Sequence, residues 1–266
     1  MRRFVKNIWP VVFICFLILQ CDTVLSPEDS LFYPQKIHSL SSEEKIKLQK
    51  EFDELNNYSI NARLNKFGFI GKDTTFNIPG NSITQLSSNE ALELALNAIL
   101  KNKKYINISD RDYVLSNNIN IRNIDNGVYW NVHFGPQKFK NLDVLFSDLD
   151  VYIYGGKVFS IYNSWYPDAI IPNEDKIDSA NVKKDVEGVS ISYITGIINV
   201  TFEVKEKDIG KTTQKVIVPY INDDSLELRV AWEVEIKLGD IIGWYVYVDT
   251  TTGEVLYKKQ NAVFPS

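Results

Sequence analysis

The chain has 266 residues, 44% hydrophobic and 12% aromatic, with 29 basic residues, 34 acidic residues and two cysteines. That length and apolar content suit a buried core in one or two modest domains and exclude a disordered tail. A net charge of −5 repels phosphate backbones and excludes nucleic acid as an electrostatic partner.

At the N-terminus Arg2, Arg3 and Lys6 precede an almost wholly apolar run, residues 8–19, followed by Gln20 and Cys21. A spanning helix needs roughly 20 apolar residues, so residues 1–20 are expected to be a secretory signal peptide, with an uncleaved anchor as the alternative. The stretch "LILQC" resembles a bacterial lipobox, although Gln20 stands where a small residue is usual. The resemblance implies a lipid on Cys21 and attachment through it to a membrane of the bacterial cell envelope, facing away from the cytoplasm. Cleavage before Cys21 also removes Cys15, leaving no cysteine for disulfides, thiolate chemistry or metal ligation. It takes away three bases (Arg2, Arg3, Lys6) and no acid, so the net charge falls from −5 to −8.

Residues 21–40 are polar, carry Pro27 and Pro34, and are expected to form a tether. Residues 41–85 begin with a helix over 42–55: Ser41 and Glu44 have capping-box spacing, and Leu48, Phe52 and Leu55 share one face. In "SSNEALELALNAILKN", Ser87 and Glu90 repeat the capping box. Leu92, Leu96 and Ile99 make an apolar face flanked by Ala91, Ala95 and Ala98, small enough to lie close on a sheet.

From Tyr113 the period becomes two. "YWNVHF" puts Trp130, Val132 and Phe134 on one side, and "LDVYIYGGKVFSIYNSW" alternates around Gly155-Gly156 as a hairpin. Pro167 and Pro172 break the pattern before a short helix in "DSANVKKDVEG", where Asp178 can cap the start and Gly188 the end. "SYITGIINVTFEV", "KVIVPY", "LELRVAWEVEIKL" and "GWYVYVDTTTGEVLYKK" then read as strands.

The two halves echo each other. Trp130, Val132 and Phe134 correspond to Trp232, Val234 and Ile236, while Val151, Ile153 and Val158 correspond to Val246, Val248 and Val255. Two sheets obeying one pleat rule would give the same pattern, but each half also has a preceding helix and a glycine turn in the same place. The expected fold is α+β: two tandem modules, 86–168 and 169–266, each a helix packed on an antiparallel sheet.

Ala231-Trp232-Glu233-Val234, Tyr247-Val248-Asp249 and Thr252-Gly253-Glu254-Val255-Leu256 resemble the PepSY domain that closes the propeptide of thermolysin-type metalloproteases. Val144, Ser147-Asp148-Leu149, "DVYIY" and "GGKVFSIYN" resemble the FTP segment before it, with Asn141, Asp143 and Phe146 departing from the family's Gly, Pro and Gly. The likeness covers roughly residues 129–264. It implies that the helix-on-sheet modules have PepSY or cystatin-like form and a binding role like that of propeptides, with a secreted protease as partner. The family's H-E-x-x-H zinc domain has no counterpart here, the only histidines being His38 and His133.

The candidate chemistry is sparse, and neither a metal nor a cofactor is implied. Residues 249–254 alternate carboxylates and hydroxyls as a calcium loop does, but lack EF-hand spacing. They read instead as a turn in which Asp249 accepts amides and Gly253 supplies positive φ. Asp223-Asp224 reads as a solvated turn, Asp148 and Asp150 alternate outward along a strand, and His133 points away from Trp130. No catalytic residue is assigned.

The aromatics Tyr129, Tyr152, Tyr154, Phe159, Tyr162, Tyr245, Tyr247 and Tyr257 alternate with core positions. Tyr152, Tyr154, Tyr245, Tyr247 and Tyr257 are the candidate partner contacts. The expected function is a lipid-anchored, non-enzymatic protein-binding module, an inhibitor or folding assistant of a secreted protease. The alternative is a structural or sensory lipoprotein using the repeat as scaffold.

Overall fold

The structure is a computed structural model that describes residues 33–57, 60–71, 74–76, 83–172, 175–195, 197–238 and 242–262. The expected signal peptide, Cys21 and most of the expected tether lie outside them. In chain order the elements are β1 (Gln35–His38), α1 (Ser42–Leu55), β2 (Ile60–Asn61), β3 (Thr74–Phe76), α2 (Ser88–Lys101), α3 (Lys103–Ile106), α4 (Arg111–Leu115), β4 (Ile119–Asp125) and β5 (Tyr129–Phe134). There follow β6 (Lys138–Phe139), β7 (Leu142–Asp143), β8 (Leu149–Tyr154), β9 (Lys157–Asn163), α5 (Val182–Val186), β10 (Ser190–Thr195), β11 (Ile198–Glu203), β12 (Ile209–Ile221), β13 (Ser225–Leu238), β14 (Ile242–Asp249) and β15 (Val255–Ala262).

Both long helices start where the Ser-x-x-Glu spacing places them. In α1 Ser41 Oγ accepts from Glu44 N while Glu44 takes the Ser41 amide, and Ser87 and Glu90 repeat this in α2. These bonds hold the Glu44 and Glu90 carboxyls below the usual range. Ala91, Ala95, Leu96 and Ile99 bury the inner face of α2 against a six-stranded antiparallel sheet, ordered β2-β3-β9-β8-β5-β4. Trp130, Val132, Phe134, Leu149, Val151, Ile153 and Ile161 supply the sheet's side of this core.

The described part of residues 41–85 joins the first sheet and its core. Phe52 of α1 is fully buried in this core, and β3 pairs with β9 in the same sheet. The buried Asn56 and Asn102 amides, 2.8 Å apart, tie the end of α1 to the end of α2.

The second sheet is built on the 14-residue β13. On one side lies β12; on the other β1 and β14 follow one another, β1 opposite residues 225–228 and β14 opposite residues 231–238, with β15 outside β14. The tether expected through residue 40 is therefore corrected at its end. Gln35–His38 is a strand because β13 outruns β14 and leaves main-chain groups to pair. Val182 and Val186 of α5, with Ile191, Trp244, Val246 and Val248, fill one face of this sheet. Gly188 ends the helix at φ +82.

A further apolar cluster joins the two sheets, with Phe67, Phe139 and Val144 against Ile217, Leu226, Leu228 and Val230. Val144 also forms a parallel bridge with Ile217.

The two sheets share a register. Val132 sits opposite Val151 and Trp130 opposite Ile153; Val234 sits opposite Val246 and Trp232 opposite Val248. Each following hairpin carries a bulge at the same point, between Tyr152 and Ile153 and between Tyr247 and Val248.

Candidate partner-binding face

Alternation along β5 and β8 sends Trp130, Val132, Phe134, Leu149, Val151 and Ile153 inward, where all are at most 5% exposed. All four helices of this half add residues to the same inner cluster. The outer face is left to Tyr129, Asn131 and His133 of β5 and to Asp148, Asp150, Tyr152 and Tyr154 along β8. Directly paired residues share a face, so the register sets its rows: His133, Asp150 and Tyr162 in one, Asn131, Tyr152 and Ser160 in the next, then Tyr129, Tyr154 and Lys157.

The β8–β9 bulge turns Phe159 onto this face, its ring 5.7 Å from Tyr129 and 6.1 Å from Tyr152; Tyr129 meets Tyr154 edge-on at 6.5 Å. These rings pack on one another and remain open to solvent, Tyr154 at 44% exposure and the others half-buried. Burial, then the charges of Asp150 and Tyr129, pushes the Tyr152 phenol up, with Arg122 of the neighbouring β4 acting against them.

Beside the rings, Asp150 Oδ1 accepts from Asn131 Nδ2 at 2.9 Å and lies 3.1 Å from His133 Nδ1. A proton on Nδ1 makes that contact a hydrogen bond and leaves Nε2 as an acceptor. His133 does point away from Trp130, as the alternation predicts, but it is not isolated. The strand pattern places Asn131, His133 and Asp150 outward; their linkage depends on β5 and β8 being neighbours in this register.

The five candidate tyrosines do not converge. Tyr152 and Tyr154 belong to this face, while Tyr245, Tyr247 and Tyr257 belong to the second sheet. Tyr247 is corrected as a contact residue: it is 1% exposed, packs with Val216, Val218, Ala231 and Leu256, and donates from its hydroxyl to Glu233 Oε2 at 3.0 Å. Alternation puts it on an outer position, but that position is covered because Leu145 and the edge strands close over it. Tyr245 accepts from Asn261 Nδ2 at 3.1 Å, and Tyr257, 42% exposed, meets Phe146 edge-on at 5.0 Å.

The acids elsewhere are structural. Asp249 Oδ1 accepts the Thr251 and Thr252 amides and Gly253 sits at φ +76, the arrangement of a turn. Arg229 binds Glu227 Oε2 at 2.6 Å and Glu254 at 2.8 Å, and Lys36 of β1 reaches Glu227 at 3.0 Å. Burial pushes Glu227 up, but these hydrogen bonds outweigh it and hold the carboxyl below its usual range. Asp223 lies in the exposed turn between β12 and β13. Among the described residues no group of three His, Cys, Asp or Glu is placed to hold a metal, and no helix is long and apolar enough to cross a membrane.

No protein-family model matches this chain, and no curated protein matches it. Among solved structures it is similar to the Bacillus megaterium YpeB C-terminal domain, at 10% identity over 84% of this chain and 98% of that one, with a TM-score of 0.30. So loose a superposition carries no argument about this chain.

Proposed function

We propose that this chain is a non-enzymatic protein-binding module, held by lipid at Cys21 on the outer side of a bacterial membrane, whose partner is a secreted protease or another envelope protein. The observation that carries it is the open aromatic face of the first sheet. Four rings, Tyr129, Tyr152, Tyr154 and Phe159, are gathered by register and bulge on the side away from the helices. Rigid aromatics half-open to water cover large contact area with few rotors to order, which is why such rings recur as interface anchors. The propeptide resemblance supplies the protease as partner class, and the shared register and bulge support reading the sheets as related units.

The test is capture from an envelope fraction with the wild-type chain and with a Tyr152→Ala, Tyr154→Ala double variant, followed by a protease assay on the captured material. The proposal expects a protease that is held and slowed by wild type and released by the variant. Absence of both capture and inhibition would overturn it.

A further inference from the structure

We infer that the acidic end of the open face, Asp148 and Asp150 beside Tyr152 and Tyr162, receives a basic side chain of the docking partner, arginine above all. The inference rests on the protein-docking reading and names the chemistry at one end of its face.

The outward positions on and just before β8 run carboxylate, carboxylate, phenol, phenol. Asp148 precedes the strand, where its amide donates to Ser164 Oγ at 2.8 Å, and among the described residues no cation pairs with its carboxylate. Asp150 is held by two neighbours. Asn131 and the His133 ring both engage Oδ1, which fixes the carboxylate's orientation and leaves Oδ2 the freer oxygen.

Tyr162 stands directly across from Asp150, and Tyr152 lies two residues along the same strand. A carboxylate between two ring systems suits a planar cation, which can accept charge pairing from the oxygen and π contact from the rings together. Apart from His133, which touches Asp150 Oδ1, the described bases on this face lie elsewhere: Arg122 two strands over in the Tyr152 row, about 10 Å at strand spacing, and Lys157 in the Tyr154 row, about 13 Å along the strands. The face is thus graded, acidic at the Asp148 end and aromatic in the middle, with Arg122 at its β4 side and Lys157 at its far end, and a partner cation is steered to the acidic end.

The experiment is fluorescence anisotropy of dye-labelled penta-arginine against the full chain in nanodiscs of neutral lipid, with penta-citrulline as the uncharged isostere. Expected is saturable binding that Asp148→Asn with Asp150→Asn weakens about tenfold and Tyr152→Ala weakens about fivefold, with Asp224→Asn as an unchanged control. Circular dichroism reports that each variant is folded.

Equal binding of the citrulline peptide, or no loss in the Asp148→Asn, Asp150→Asn variant, would overturn the inference. So would labelled chitotetraose binding at this face while penta-arginine does not, an outcome that assigns the face to sugars. A variant that still captures the partner protein but has lost penta-arginine leaves docking intact and removes only the cation's role in it, against the inference.

Discussion

The hydroxyl of Tyr33 accepts a hydrogen bond from the main-chain N–H of Val230 at 2.7 Å, across 197 residues. Val230 lies where β13 changes neighbours, between the residues paired with β1 and those paired with β14. Its carbonyl is taken by Thr250 N at 3.0 Å, so the phenol satisfies a donor that neither strand reaches. The segment leading out of the N-terminus is thereby fastened to the C-terminal sheet by β1, by Lys36 on Glu227 and by this bond.

Replacing Tyr33 by Phe keeps the ring against the cluster that joins the sheets and removes the hydroxyl, which accepts from the Val230 amide and donates to the Val230 carbonyl at 3.4 Å. A buried N–H left without a partner costs about 1–3 kcal/mol, and that loss is expected in urea unfolding followed by tryptophan fluorescence. An unchanged midpoint would mean that the amide finds another acceptor and that the phenol is not the clasp.

Alkali should undo the same region. Burial is the first cause in each of four tyrosines: it pushes Tyr113 and Tyr166 up to about 12, and raises Tyr33 and Tyr247 as well, the latter also through the Glu233 carboxylate. The folded chain therefore holds these phenol protons more tightly than the unfolded chain, whose tyrosines titrate near 10. Their contribution to stability is complete below pH 10 and is lost as the pH rises through the folded values. Urea midpoints are expected to be level between pH 8 and pH 9 and to fall steeply from pH 10 to 11. Tyr247→Phe should lessen the fall, and a flat profile to pH 11 would contradict the burial argument.

Some of this was legible in residues alone. The two Ser-x-x-Glu boxes and the glycine turns are local chemistry, and they placed α1, α2 and the β8–β9 hairpin. The pleat of "YWNVHF" named both its buried and its outer residues, and the antiparallel α+β class followed. What failed depended on distant partners. Gln35–His38 carries no strand pattern of its own and pairs only because β13 is longer than β14. Tyr152 and Tyr247 occupy equivalent places beside equivalent bulges, yet one is half-open and the other buried, because Leu145 packs into the cluster around Tyr247 on the second sheet.

Phe146 has a left-handed backbone, φ +61, a conformation that favours glycine, and its ring is 42% exposed. For a residue with a Cβ that conformation costs about 1–2 kcal/mol, while the edge-on contact with Tyr257 returns about 0.5–1.5 kcal/mol. Phe146→Gly loses both terms and should leave stability nearly unchanged. Phe146→Ala keeps the strain and loses the ring. The alanine variant is expected to be the less stable of the two by about 1–2 kcal/mol in thermal or urea unfolding, and equal stabilities would show that the backbone is not strained there.

Asp249 separates a turn from a metal loop. The side chain is 1% exposed, its Oδ1 holds the amides of Thr251 and Thr252, and its Oδ2 lies 3.7 Å from Arg229. Asn in its place retains the acceptor oxygen and gives up only the charge, whereas Ala leaves two amides and a guanidinium without it. Asp249→Ala should therefore cost about 2–3 kcal/mol and Asp249→Asn about 1 kcal/mol, since charged hydrogen bonds exceed neutral ones by that order. Gly253→Ala adds an independent check, because a Cβ at φ +76 would meet Ile177 Cδ1 at 2.9 Å. On the turn reading, calcium at millimolar concentration leaves the melting temperature of the wild-type chain where chelator leaves it. A calcium-dependent rise that Asp249→Asn abolishes would restore the loop to a metal-binding role.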